Sequence, residues 1–193
     1  MEERIFGDRE KAMEDAYFRD QNAKLLDKLR QRADLDEIAQ ALGEKLQVDN
    51  PDLLERVRLL GLKPETAPAL LLAPLVQVAW AEGEVTKKEA DAVLRLIQQR
   101  GVEADTPAYG QIIKWLENRP SDELFDTAVE VLKYGFSVLP DAEKEDRIKK
   151  IVEACNEVAE ASGGGLVKVL GLGSGVSGIE AETLDTITAT LRA

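Results

Sequence analysis

Residues 66–90 read TAPALLLAPLVQVAWAEGEVTKKEA, and the fold turns on how this stretch divides. From Thr66 to Ala81 it is apolar on nearly every side, the pattern of a helix buried all round rather than one lying on a surface. Pro74 falls inside the run, so a bend or stagger is expected there. The polar turn Glu82-Gly83-Glu84 ends it. Thr86 then opens a second helix, and Glu89, three residues on, completes a Thr-x-x-Glu capping box. That second helix reaches Arg100, with Gly101 behind it where a C-terminal glycine belongs. The stretch from Ala67 to Ala81 is too short to span a bilayer and is interrupted by Pro68, Pro74 and Gln77.

The same unit recurs further along. Val85-Thr86-Lys87-Lys88-Glu89-Ala90-Asp91 matches Val176-Ser177-Gly178-Ile179-Glu180-Ala181-Glu182 at a spacing of 176 − 85 = 91 residues. Val78-Ala79-Trp80-Ala81-Glu82-Gly83 parallels Val158-Ala159-Glu160-Ala161-Ser162-Gly163 at 158 − 78 = 80. The second copy therefore carries 91 − 80 = 11 extra residues in its loop. Each copy is a helix, a glycine-containing turn and a capped helix, which predicts two related helical hairpins in one bundle.

Helix start and stop signals extend outward from these hairpins. Asn50-Pro51 opens a helix that Gly61 closes, Thr106-Pro107 one to Glu117, Ser121 one to Val138, and Pro140 one to Ala161. Ser177 caps the last. From Asp8 to Arg32 the chain holds no Gly or Pro, and Ala12, Ala16, Leu25, Leu26 and Leu29 make only a thin apolar stripe. A long, weakly amphipathic helix of this kind protrudes or lies loosely on the body. Asp34 with Glu37 forms another capping pattern, predicting a separate short helix through Leu46. No window alternates with period two, so no sheet is expected. The predicted architecture is all-α: an N-terminal helical arm (1–32), connecting helices (33–63) and a helical bundle (64–193).

Composition limits the chemistry. The 193 residues carry 37 acidic and 25 basic side chains, a net charge of −12, which disfavours nucleic acid and anionic membrane surfaces. With no histidine and one cysteine, the common hydrolytic triads cannot be assembled. Cys155 lies on the apolar side of a helix and reads as a buried thiol, while Trp80 and Trp115 read as core. Met1 is followed by charged residues rather than by a basic flank and an apolar run, so a cytoplasmic protein is expected. Gly173-Ser174-Gly175-Val176-Ser177-Gly178 is a literal GxGxxG, but only 193 − 178 = 15 residues follow, too few for a dinucleotide fold. Gly163–Gly178 reads instead as a flap between helices. Glu82, Glu84 and Glu89 offer oxygen ligands for a hard divalent cation such as Ca²⁺; otherwise Glu89 serves only its capping box. No other cofactor is implied, and the expected protein is not an enzyme.

Two resemblances sharpen this. The Ala67–Ala81 helix leading into Glu82-Gly83-Glu84-Val85-Thr86-Lys87-Lys88-Glu89, with its second copy, resembles the tellurite-resistance (TerB-like) helical family over about residues 64–193. Glu82 stands where that family has Asp, and the second turn reads Ser162-Gly163 without a carboxylate. The resemblance implies a TerB-like bundle and a metal-ion-responsive stress function. Residues 6–21, with Phe6-Gly7, Arg9-Glu10, Glu14, Tyr17-Phe18-Arg19 and Gln21, resemble the inhibitory segment of the mitochondrial ATP synthase inhibitor protein. This implies a helix that binds the catalytic subunits of an F-type ATP synthase and inhibits it. By this resemblance Tyr17 and Phe18 anchor the contact, Glu10, Glu14 and Arg19 make polar contacts, and Phe6 and Arg9 belong to the same surface. The residues themselves allow a second reading, in which Tyr17 and Phe18 pin the arm to its own bundle.

Overall fold

The computed structural model describes residues 2–43, 48–162 and 176–193; for residues 2–16, 31, 34, 35, 39, 43 and 162 it describes the backbone alone. Among the described residues all regular structure is helical and no strand occurs. None of these helices is long and apolar enough to cross a membrane.

The chain begins with α1 (Glu2–Gly43), 42 residues in one helix. At 1.5 Å per residue it is about 63 Å long. The sequence predicts a break near Asp34, and the structure has none. From Asp8 to Leu42 no Gly or Pro interrupts a run rich in Ala, Leu, Lys, Arg, Gln and Glu. Asp followed by Glu three residues on caps a helix only where the backbone has already left helical geometry, and nothing here forces it to leave.

α2 (Pro51–Leu59) starts where Asn50 Oδ1 accepts from the backbone N–H of Asp52 and Leu53 at 3.1 and 3.2 Å. It buries Leu53, Leu54 and Val57, and Gly61 turns the chain afterwards with φ 76°. The apolar run then divides at its prolines. Ala67–Leu72 is a 3-10 helix and α3 (Ala73–Ala79) follows, with Pro74 in its first turn, where a missing N–H costs nothing. The expected bend is thus a change of helix type. α3 is buried on nearly every side, from Ala73 through Val76 and again at Val78 and Ala79.

α4 (Lys87–Gln99), α5 (Pro107–Glu117), α6 (Asp122–Ser137), α7 (Asp141–Ser162) and α8 (Gly178–Arg192) complete the body. Thr106 and Ser121 cap α5 and α6 through their hydroxyls, each accepting an N–H at 3.3 Å. The two hairpins, α3–α4 and α7–α8, pack together: α4 lies against α7, and α3 against both α7 and α8. α6 packs against α3 and α8, while α5 packs on α3 and the 3-10 helix. One core runs through all of them, with Leu70, Val76, Ile97, Ile112, Phe125, Ile148, Val158 and Leu191 at its centre. From α1, Ile38 and Leu42 enter this core, and the helix rests on α2 and the 3-10 helix.

Candidate functional site

The free length of α1 is the first candidate. Every described side chain from Tyr17 to Arg30 is exposed. Tyr17 is 62% and Phe18 61% exposed, so neither pins the arm to the bundle. The two rings meet edge to face, with centroids 6.0 Å apart and planes at 70°. Leu25, Leu26 and Leu29 are more than half exposed. Spacings of seven and eleven residues from Phe18 bring Leu25 and Leu29 to the same side of the helix. The result is a short apolar ridge flanked by charge, including the Lys24–Asp20 pair at 2.7 Å and the exposed Arg19. Phe6, Arg9, Glu10 and Glu14 fall on the same helix, but their side chains lie outside the described residues.

The two turns between hairpin helices are the second candidate. Thr86 Oγ1 accepts from Glu89 N at 3.3 Å while Thr86 N–H donates to Glu89 Oε2 at 2.6 Å. Ser177 and Glu180 repeat this at 3.3 and 2.7 Å. Both glutamates are buried, to 1% and 0% exposure. Burial raises the carboxyl of Glu89 above its ordinary range, against the hydrogen bonds from Thr86, and the charges of Glu180 and Glu82 push the same way. The repeat therefore places the buried Glu180 carboxylate near enough to act on that of Glu89. The sequence shows the capping role of each but not their mutual approach, because they stand 180 − 89 = 91 residues apart.

Glu82 and Glu84 remain exposed, while Glu89 turns inward to its cap. Among the described residues no group of three or more His, Cys, Asp or Glu side chains is placed to hold a metal ion. Residues 163–175, the larger part of the glycine loop, lie outside the described residues. Cys155 is fully buried and its thiol is pushed up to about 12 by burial, with Arg100 pulling weakly the other way. Such a thiol carries almost no thiolate near neutrality and is a poor nucleophile. Trp115 is buried, and the half-buried Trp80 donates from Nε1 to the Trp115 carbonyl at 2.7 Å, tying α3 to α5.

One cleft escapes sequence reasoning. Between α2 and α6 a depression of about 350 Å³ is lined by Asn50, Leu53, Arg56, Lys133 and Tyr134. Arg56 pairs there with Glu130 and donates to Thr127 Oγ1 at 3.0 Å, and the Tyr134 hydroxyl donates to Asp49. These bonds use up most of its polar groups and tie α2 to α6. No family model, curated protein or solved structure matches the chain.

Proposed function

We propose that the protein is a non-enzymatic regulator that presents the outer part of α1 to a protein partner, and that this partner is the catalytic assembly of an F-type ATP synthase, which it inhibits. The observation that carries the reading is the continuous exposure of residues 17–30 on a helix whose buried side chains, among the described residues, are Ile38 and Leu42 further along. An exposed Tyr-Phe pair beside arginine has the composition of an interface anchor, and an exposed helix is a form in which such anchors dock into a partner's groove. The choice of partner rests on the resemblance of residues 6–21 to the inhibitory segment. The paired hairpins, each with its capping box, support a TerB-like body as the platform. The metal-response reading has no comparable support, since Glu82, Glu84 and Glu89 do not converge.

ATP hydrolysis by isolated F-type catalytic complexes, measured with increasing wild-type protein, tests the proposal. Wild type is expected to inhibit, and the Tyr17→Ala, Phe18→Ala double variant to need at least about tenfold more protein for the same effect. Full hydrolysis in the presence of excess wild type would rule the ATP synthase out as partner.

A further inference from the structure

Against the strongly acidic character of the whole chain, one face of the body gathers cations around an apolar hollow. The hollow, about 360 Å³, opens where the 3-10 helix, the end of α4, α6 and α7 meet. Its floor is Leu71, Leu72, Leu132, Phe136 and Ile151. Leu132 and Phe136 are buried in the core, whereas Leu71, Leu72 and Ile151 are only half-buried and keep apolar surface towards the opening. Arg100, Arg147 and Lys150 stand at its edge. Arg147, Lys150 and Ile151 share a face of α7 because they are three and four residues apart.

Arg100 is the informative cation. Its Nη1 donates to the Leu96 carbonyl at 3.1 Å and its Nη2 to the Lys150 carbonyl at 3.2 Å. Both acceptors are neutral. A guanidinium with five donors is thus fixed at the mouth of the hollow, with donors to spare and its charge unneutralised by these bonds. Arg147 and Lys150 do have carboxylate neighbours on their own helix, Glu143 at 3.2 Å and Asp146 at 2.7 Å. All four of these side chains are about half exposed, and pairs of that kind contribute little and yield readily to a better partner.

We infer that this hollow is a binding site for a free fatty acid, with the acyl chain on the Leu71, Leu72, Phe136 and Ile151 floor and the carboxylate on Arg100 and Lys150. The floor rewards an apolar body and the cations require an anionic head, a combination that a sugar or a neutral lipid does not match. A volume near the low end for small-molecule pockets suits one chain rather than the two of a membrane lipid. A carboxylate meets the planar guanidinium edge on through paired N–H donors. The site is separate from the arm, so it stands or falls independently of the α1 partner.

Calorimetric titration of the full chain with decanoate, kept below its micelle concentration, tests this against decanol and inorganic phosphate. Decanoate is expected to bind at a single site, and the two half-ligands at least about tenfold more weakly. The Arg100→Gln, Lys150→Gln double variant, which keeps both backbone carbonyls and the apolar floor, is expected to lose about tenfold in decanoate affinity. Leu71→Trp, which narrows the hollow and leaves the cations, is expected to lose at least about tenfold in decanoate affinity. The Phe18→Ala variant is expected to bind as wild type does, separating the hollow from the exposed apolar residues of α1. Equal affinity for decanoate and decanol, or decanoate binding unchanged in the double variant, would overturn the inference.

Discussion

Glu89 is a carboxylate in a place where carboxylates are seldom found, nearly without solvent contact and held by its own N-cap. Burial raises its folded pKa above the ordinary 4.5, more than its bonds to Thr86 lower it, with Glu180 and Glu82 adding repulsion. The sign of the linkage follows. A group that binds its proton more tightly in the folded chain stabilises the fold fully below its unfolded pKa and loses that contribution as pH rises through the raised value. Glu89→Gln keeps the shape and an oxygen to accept from Thr86 N–H but cannot ionise. Melting temperatures of the two proteins, compared at steps from pH 4 to pH 8, are expected to shift in the variant's favour as pH rises above about 4.5. A difference that stays constant over that range would mean Glu89 ionises as it does in the unfolded chain. Cys155, buried in the same body with its thiol pushed up to about 12, takes no part in this because it remains protonated throughout that range.

At the scale of the elements, the caps decide where helices begin. Thr86 and Ser177 each satisfy one N–H at the start of a helix that feeds the core, α4 through Val93, Leu96 and Ile97 and α8 through Leu184, Ile187 and Leu191. Removing either hydroxyl also loosens a buried glutamate whose carboxylate is tied to that cap. Thr86→Ala and Ser177→Ala are each expected to cost about 1 kcal/mol, read as a lower urea midpoint at unchanged slope. These caps, like Asn50, Thr106 and Ser121, are legible in the sequence because the chemistry is local: acceptor and donor lie within three residues. The capping pattern at Asp34 fails for the complementary reason, since the motif states what a helix start needs and not whether the helix starts there. The exposed ridge of the arm is legible from its thin apolar stripe. The hollow beside Arg100 is not, because its floor and rim come from residues 71 to 151 on four elements, and no one of them departs from an ordinary amphipathic pattern.

For the whole molecule the question is how much of α1 the fold requires. Among the described side chains, α1 joins the core only at Ile38 and Leu42, whereas residues 17–30 are exposed throughout. An exposed helix stripped of tertiary contact adds little beyond its intrinsic propensity, which for a few turns in water is close to zero. Deleting residues 1–32 should therefore leave the melting temperature within about 4 °C of wild type, the shift that about 1 kcal/mol produces in a protein of this size. Deleting residues 1–42 removes Ile38 and Leu42 as well and uncovers the faces of α2 and the 3-10 helix on which α1 rests. Each lost core side chain is worth about 2–5 kcal/mol, so this longer deletion should melt far lower or fail to fold. Circular dichroism melts of the two truncations beside wild type give the comparison. A large loss on the shorter deletion would show that residues 1–32 bear on the body in solution, and a partner would then have to detach Tyr17 and Phe18 before binding them. A small loss leaves the arm free of any role in folding, with its aromatic pair exposed and available to a contact outside the bundle.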